Sequence, residues 1–312
     1  MIDTRKVAVI GCGFVGSACA FTLMQHGLFS EMVLIDLDQA RAEGEAMDIS
    51  HGLLFAKPMN IYAGTYADAA DADIAIVTAG ANQKPGETRL DLVRKNSKIL
   101  ISILDELKKS GFGGILLIVS NPVDILTRVA QKHSGLPEGR VFGSGTVLDT
   151  ARLKYLLGEH LSVDSRGVHA FIIGEHGDSE IAVWSSANVS GVPLHTFCEM
   201  RGFYDHDNAM REIGENVKNS AYAIIERKGA TYYGIAMAVQ RICEAVVRDE
   251  KSILPISSAL HGEFGINDAT LSVPSVLGAN GVEKVVPISL SDDEVTRLRY
   301  SADMLKGIFA DL

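Results

Sequence analysis

A histidine that lies between glycines at the end of an apolar run is the first sign of chemistry in this chain. His176 belongs to the segment Ile172-Ile173-Gly174-Glu175-His176-Gly177-Asp178-Ser179-Glu180. A strand end would hold the imidazole still, and Gly174 and Gly177 would leave it accessible. Histidine is the side chain best suited to proton transfer near neutral pH. The setting therefore favours a catalytic acid and base over a histidine buried for structural reasons.

Asp149 and Arg152 lie three residues apart in a predicted helix, so they share one of its faces. On local grounds a surface ion pair explains them well. The functional alternative is that Asp149 orients and charges a histidine, while Arg152 binds a carboxylate with its planar guanidinium group. Taken alone, the pair favours the surface ion pair.

Two further polar residues occupy positions that ligands often reach. Arg89 follows the polar stretch 80–87, whose Pro85-Gly86 pair predicts a mobile loop, and a cation there could move onto a substrate. Asn121, in Ser120-Asn121-Pro122, ends a predicted buried strand, where ligands bind in doubly wound sheets. A solvated charge at a helix start and an asparagine turn before proline explain the same residues on local grounds.

The first 36 residues have the pattern of a dinucleotide-binding unit. An apolar run at 7–10 leads into Gly11-Cys12-Gly13-Phe14-Val15-Gly16, a helical stretch continues to about Gln25, and a second apolar run at 32–35 ends on Asp36. In such units the glycines permit a tight turn, a close approach to the pyrophosphate and close helix packing, and the helix N-terminus attracts phosphate. Asp36 would bind ribose hydroxyls and repel a 2′-phosphate, which favours NAD over NADP. The alternative is a packing turn without a ligand.

These candidate residues lie among elements that predict an α/β fold. The first half alternates short apolar runs with helical patterns, as parallel βαβ units do, with strands expected near 7–10, 32–36, 60–63, 73–79, 115–119 and 140–142 and a helix over 88–110. In the second half, helices near 147–161, 207–227, 231–248 and 291–311 mix with strands near 168–173, 181–187, 252–260, 269–277 and 282–287. We therefore predict a doubly wound parallel sheet of the Rossmann type over 1–143 and an α+β substrate domain over 144–312.

Composition excludes several classes of function. The chain has 312 residues, enough for about two domains, and its 47% hydrophobic and 22% charged residues are ordinary for a globular protein. A net charge of −10 without a basic run argues against nucleic acid as a partner. The four cysteines form no CxxC pair and no zinc spacing, so no metal is expected and a reducing compartment fits. Neither a signal peptide nor a membrane-length apolar run is apparent, so we expect a soluble cytoplasmic protein without a membrane partner.

Taken together, the motifs resemble the L-lactate dehydrogenase branch of the lactate/malate dehydrogenase family over essentially the whole chain. The matching segments are 11–16 with Asp36, 79–89, 120–124, 143–152, 174–180 and 229–234. The resemblance implies a reversible hydride transfer between NADH and pyruvate that gives (S)-lactate and NAD+.

The resemblance also implies a role for each polar residue. His176 gives its proton to the ketone oxygen, and Asp149 fixes the tautomer and stabilises the imidazolium. Arg152 binds the substrate carboxylate, and Arg89 polarises the carbonyl when its loop closes. The residues expected to line the substrate are Gln83, Asn121, Asp124 and Thr231. The NAD contacts implied by the family are Gly11, Gly13, Val15, Gly16, Asp36, Arg41, Tyr66, Gly80, Ala81, Ser102, Val119, Asn121 and Ser144.

Gln83 is the residue that the resemblance assigns to substrate choice. Malate dehydrogenases of this family carry an arginine there, which pairs with a second carboxylate. A neutral glutamine would leave that carboxylate buried without a partner, which is costly. A monocarboxylate such as pyruvate is therefore the expected substrate.

Regulation is the last property that the resemblance implies. Bacterial members of this branch are typically homotetramers, and many are activated by fructose 1,6-bisphosphate bound between subunits by an arginine and a histidine. Lys154 and His169 occupy those positions here. Lysine keeps the charge of arginine but gives up bidentate phosphate recognition, so weakened activation is expected. The alternative is that Lys154 only faces solvent.

Other activities make different demands on the sequence. A dehydrogenase for larger 2-oxo acids would share the chemistry with a roomier pocket. An NAD-dependent glycosidase would be expected to have a metal-binding cysteine where Ser120 stands, and a sensor without catalysis would not need the set formed by His176, Asp149, Arg152 and Arg89. Short-chain dehydrogenase chemistry needs Tyr-x-x-x-Lys, which none of the eight tyrosines supplies.

Overall fold

Alternating strands and helices build the first half of the computed structural model, which describes residues 5–81, 86, 88–310 and 312, with Arg89 described by its backbone alone. The strands are β1 (Lys6–Ile10), β2 (Glu31–Ile35), β3 (Asn60–Ala63), β4 (Ile74–Val77), β5 (Ile115–Ile118) and β6 (Val141–Gly143). The helices are α1 (Phe14–His26), α2 (Gln39–His51), α3 (Arg89–Ser110) and α4 (Val123–His133).

The second half contains further helices and antiparallel strands. The helices are α5 (Val147–Leu161), α6 (Leu194–Met200), α7 (His206–Lys228), α8 (Tyr233–Val247) and α9 (Asp292–Ala310). The strands are β7 (Val168–Ile173), β8 (Ile181–Val189), β9 (Val192–Pro193), β10 (Ser252–His261), β11 (Asn267–Gly278) and β12 (Gly281–Val285). Predicted ends differ by a few residues: the strand expected over 73–79 ends at Val77, because Thr78 and Ala79 both turn to donate to the carbonyl of Ile10.

Six parallel strands of the first half lie in the order β3-β2-β1-β4-β5-β6, which confirms the doubly wound sheet. Every residue of β1, β4 and β5 is buried, as continuous apolar runs predict for strands covered on both faces. Val7 and Val9 pack into one hydrophobic cluster and Ala8 and Ile10 into another on the opposite face. The strand order reverses between β1 and β4, and ligands bind such sheets in the crevice at that point.

The central sheet does not end with the first half of the chain. Strand β10 pairs with β6 through Ser257 and Gly143, and β11 and β12 follow, so the sheet has nine strands. A Cβ at Gly143 would lie 2.8 Å from Val123 and 3.0 Å from Ser257, so this close approach requires glycine. The second half thus adds antiparallel strands to the sheet of the first, and the division at 143/144 stays a prediction.

A smaller sheet, β7-β8-β9, carries the histidine motif. Helix α5 lies against β7, and the backbone N–H of Ile172 donates to the hydroxyl of Thr150 at 2.9 Å. This contact holds the helix that carries Asp149 and Arg152 beside the strand that leads to His176. Of the helices in the described ranges, none combines the length and apolar character needed to cross a membrane.

Candidate active site

His176, Asp149 and Arg152 form one hydrogen-bonded cluster. Nδ1 of His176 lies 2.6 Å from Oδ2 of Asp149, and the Arg152 guanidinium donates to Oδ1 of the same carboxylate at 2.8 Å. Asp149 is 2% exposed, whereas the His176 side chain is 27% exposed. Since Nδ1 is engaged by Asp149, Nε2 is the ring nitrogen left to meet a ligand.

The buried carboxylate sets the charge of this histidine. Burial by itself would lower the pKa of His176, but the charge and hydrogen bond of Asp149 outweigh it and raise the pKa to about 9. Burial likewise opposes ionisation of Asp149, yet His176 and Arg152 hold the pKa of that carboxyl below its usual value. At neutral pH the pair is therefore an imidazolium and a carboxylate, so His176 is ready to donate a proton.

Asp124 positions the histidine from the backbone side. Its carboxylate accepts hydrogen bonds from the N–H of His176 at 2.7 Å and from the hydroxyls of Ser257 and Ser272. Complete burial raises the pKa of Asp124 to about 6, although these donors favour its ionised form. The contact between Asp124 and substrate, which the family resemblance implies, stays a prediction.

A cavity of about 440 Å³ lies in front of the cluster. Asn121, Asp149, Arg152 and His176 all line it, so the structure brings together side chains that are far apart in sequence. Helices α3 and α7 form two further walls. Arg89 begins α3, but its side chain and the whole of Gln83 lie outside the described residues. Thr231 is half-buried just before α8 and is not part of the wall formed by the described residues.

The glycine turn has the geometry expected for a dinucleotide. Gly11 has φ +99°, and a Cβ there would lie 2.6 Å from the nitrogen of Ala79, while a Cβ at Gly16 would lie 1.8 Å from the Gly11 carbonyl oxygen. Gly13 starts α1 without a side-chain cap and has no atom within 4 Å of its Cβ position. That open space beside free helix N–H groups fits a pyrophosphate. The Asp36 carboxylate contacts the turn directly, because it accepts a hydrogen bond from the Cys12 N–H at 2.6 Å.

Most of the other predicted NAD contacts surround this turn or follow the parallel strands. Gly80 and Ala81 come after β4, Val119 and Asn121 after β5, and Ser144 after β6, so they share one edge of the sheet. Val15 and Tyr66 are half-buried, and burial together with the charges of Glu106 and Asp36 raises the pKa of Tyr66. Arg41 and Ser102 are exposed on α2 and α3, and the Ser102 hydroxyl donates to the Ile99 carbonyl at 2.8 Å.

Two residues of the site were not identified from sequence. Asn96, 3% exposed on α3, bonds to the backbone of Ala81 and of Asn121. A polar residue on the apolar face of a predicted helix, between Val93 and Leu100, is a signal that could have revealed it. Glu180 lines the cavity beside the histidine and is half-buried there, which no sequence pattern predicts.

Glu180 belongs to the same charged cluster. Burial and the nearby Asp149 carboxylate raise its pKa to about 8, and its Oε1 has no hydrogen-bond partner among the described residues. Ligand atoms of Asp149, His176 and Glu180 lie within 4.8 Å of one another, a spacing that could hold a metal ion. The Arg152 guanidinium already pairs with the Asp149 carboxylate. Its positive charge would repel a metal ion bound by the same carboxylate. The expected absence of a metal stays a prediction.

The residues expected to bind an effector lie away from this cavity's described lining. Lys154 is half-buried on α5, and burial lowers its pKa, so it is not a freely solvated charge. His169 is exposed on β7, where it pairs with Asn188 in the smaller sheet.

Two family models together match nearly the whole chain. The model described as lactate/malate dehydrogenase, NAD binding domain, matches residues 5–143, and the one described as lactate/malate dehydrogenase, alpha/beta C-terminal domain, matches residues 146–311.

Similar proteins are known from several bacteria. An L-lactate dehydrogenase of Acetivibrio thermocellus is 53% identical over 308 residues, 99% of this chain and 97% of the relative. One from Priestia megaterium is 54% identical over 303 residues, 97% of this chain and 95% of the relative. The ligand-bound crystal structure of the minor L-lactate dehydrogenase from Enterococcus mundtii superposes with a TM-score of 0.95 at 43% identity, covering 99% of this chain and 98% of that one.

Proposed function

The chain belongs to the lactate/malate dehydrogenase family, whose N-terminal domain binds NAD, and from that premise we propose that it interconverts pyruvate and (S)-lactate. The observation that carries the proposal is the 2.6 Å contact between His176 and Asp149 beside a cavity that Arg152 also lines. Reduction of a 2-oxo acid needs a proton donor and a cationic site for the carboxylate, and these two residues supply them.

The protein's part in the reaction is to hold the substrate and move a proton. NADH, when bound at the glycine turn, supplies the hydride that adds to the carbonyl carbon. The proton on Nε2 of His176 passes to the carbonyl oxygen of the substrate. The π electrons of the C=O bond form the new O–H bond. Asp149 stabilises the imidazolium beforehand and keeps Nδ1 protonated throughout. In lactate oxidation the neutral imidazole takes the proton back.

Substrate binding rests on Arg152. One of its five guanidinium N–H groups donates to Asp149, and the others remain for the two oxygens of a carboxylate. Arg89 would add a positive charge near the carbonyl oxygen, as the family's pattern implies. Stabilising the negative charge that develops on the carbonyl oxygen is usually the largest single contribution to catalysis in such sites.

Gln83 provides the direct test of substrate choice. We expect the wild type to reduce pyruvate in strong preference to oxaloacetate, and Gln83→Arg to shift the kcat/KM ratio toward oxaloacetate by about tenfold to over a hundredfold. The introduced guanidinium would pair with the second carboxylate, a contact worth roughly 1.5–3 kcal/mol. NADH oxidation is followed spectrophotometrically with each acid. Gln83→Met, similar in length but uncharged, is the control, and a wild type that uses both acids equally well would rule out the assignment.

Assembly into homotetramers is a further part of the proposal. Large apolar side chains are exposed on α2, on the turn after it and on α8, and α1 contacts both of these helices. Grouped exposed apolar side chains mark interfaces between proteins. These residues are Met47, Leu54, Phe55, Tyr233 and Met237.

Such an assembly could create the fructose 1,6-bisphosphate site. If symmetry brings two copies of Lys154 and His169 together, their charges repel, and a bound diphosphate would relieve the repulsion. A coupling of about 1–3 kcal/mol is typical, enough to change pyruvate affinity several-fold. We expect weak activation, because Lys154 keeps the charge of arginine but gives up its bidentate phosphate recognition.

Titration with fructose 1,6-bisphosphate at subsaturating pyruvate measures this coupling. Lys154→Ala should abolish the response, whereas Lys109→Ala, which removes an exposed lysine of α3, should leave it intact. A wild type that does not respond, or a Lys154→Ala variant that responds normally, would eliminate the site.

A further inference from the structure

We propose that Asn96 is a positioning residue that joins the two strand ends on either side of the ligand crevice and thereby sets the geometry of the substrate pocket. The proposal rests on the function argued above, because it assigns a part in pyruvate reduction to a residue outside the proton-transfer cluster. Its evidence is a set of three hydrogen bonds made by one buried amide.

The Asn96 side chain bonds to two segments that are far apart in sequence. Its Oδ1 accepts from the N–H of Ala81 at 2.8 Å, and its Nδ2 donates to the carbonyl of the same residue at 3.3 Å. The same Nδ2 donates to the carbonyl of Asn121 at 2.9 Å. Ala81 follows β4 and Asn121 follows β5, so one side chain of α3 connects both strand ends.

The connection between the ends of β4 and β5 is called the junction below. A second contact supports it on the side nearer the sheet. The Ser120 hydroxyl donates to the carbonyl of Ala79 at 2.6 Å and lies 3.1 Å from that of Val77. Ser120 therefore holds the ends of β4 and β5 together next to the sheet. Asn96 holds them together one or two residues further along each segment. Burial makes the second connection costly to lose, because the three backbone groups would be left without their partner.

The position of the junction explains why it bears on substrate. Asn121 lines the cavity in front of His176 and is a predicted contact of both substrate and NAD. Ala81 is the last residue before the segment that carries Gln83, and Arg89, where that segment joins α3, is two helical turns before Asn96. The other end of the segment is held by the capping box of Thr88 and Asp91. Both ends are thus attached to α3, one of them through Asn96.

Two substitutions separate the contacts of Asn96. Asn96→Ala removes all three hydrogen bonds. Asn96→Asp has the same shape and keeps the acceptor for the Ala81 N–H, but it places a second oxygen opposite two carbonyl oxygens. We expect both variants to lower kcat/KM for pyruvate by about tenfold to a hundredfold. Because Ala81 and Asn121 are also predicted NAD contacts, the Kd for NADH, measured by nicotinamide fluorescence, should rise as well, but by a smaller factor than kcat/KM falls.

Hydrogen exchange supplies a readout that does not depend on turnover. Measured by mass spectrometry on the ligand-free protein, exchange at Ala81 should be at least tenfold faster in Asn96→Ala and close to wild type in Asn96→Asp. The matched control is Asn188→Ala, because Asn188 also bonds to backbone groups, the Gly191 N–H and the Ser186 carbonyl, in a remote turn. That variant should leave kcat/KM and exchange at Ala81 unchanged.

The possible outcomes are distinct. If wild type reduces pyruvate and Asn96→Ala retains at least half of its kcat/KM, the positioning role is wrong. Loss of NADH affinity by as large a factor as kcat/KM, together with loss of thermal stability, in both variants, would also overturn it, since that result indicates general destabilisation. If wild type does not reduce pyruvate, the proposed function fails, whereas the exchange measurement still decides whether Asn96 holds the junction.

Discussion

Asp149→Asn is expected to slow pyruvate reduction about a hundredfold to ten-thousandfold, even when pyruvate is saturating. A neutral amide cannot stabilise the imidazolium, and it does not enforce the tautomer that leaves a proton on Nε2 of His176. The Asp149 carboxylate raises the pKa of His176 to about 9 against the effect of burial. Without that charge, burial remains and the pKa falls.

The pH dependence of the reaction shows in which direction Asp149 shifts the pKa of His176. Under the proposed mechanism, reduction uses the protonated imidazole of His176, so wild-type activity should fall as pH rises through about 9. In Asp149→Asn the same fall should occur at lower pH. The measurement is the pH profile of kcat for pyruvate reduction, with Asp164→Asn, which removes an exposed carboxylate paired with Arg166, as the control. A profile that Asp149→Asn leaves unchanged would contradict the pairing.

Arg152→Lys is expected to raise the KM for pyruvate roughly tenfold to a hundredfold while NADH binding is retained. Lysine keeps the positive charge but cannot offer two parallel N–H groups to a carboxylate, and it cannot simultaneously hold Asp149 in the same geometry. NADH binding should survive because the glycine turn lies apart from Arg152, on the N-terminal side of α1.

Pyruvate kinetics and nicotinamide fluorescence together check this expectation. Arg166→Lys, at an exposed arginine–aspartate pair, controls for the general effect of the exchange. An equal loss of pyruvate and NADH binding in Arg152→Lys would indicate misfolding instead of a lost carboxylate contact.

Local patterns in the sequence were sufficient to predict the nucleotide-binding half. The spacing of Gly11, Gly13 and Gly16 and the buried runs of β1 and β2 follow from short-range geometry, and the structure reproduces them. The motif around His176 also stood out locally. Its pairing with Asp149, 27 residues earlier, followed only from the family resemblance, because spacing alone favoured a surface ion pair between Asp149 and Arg152.

Long-range contacts account for what the sequence did not reveal. The antiparallel addition of β10 to β6 depends on a close approach at Gly143 that no local pattern encodes. The role of Asp124 depends on hydroxyls of Ser257 and Ser272, which are more than 130 residues away. The partial burial of Glu180 likewise depends on α7, whose Lys218 lines both cavities that Glu180 lines.

The nine-stranded sheet has a mechanical consequence for the reaction. Gly174, two residues before His176, exchanges backbone hydrogen bonds with Ser272 of β11. Strand β11 is joined through β10, β6, β5 and β4 to β1, the strand that precedes the glycine turn. The glycine turn, proposed to bind the hydride donor, and His176, proposed to supply the proton, are therefore mounted on one continuous hydrogen-bonded frame. A hinge between the two halves would have to break that frame. The spacing between the two reacting sides is thus built in by folding, before any ligand arrives.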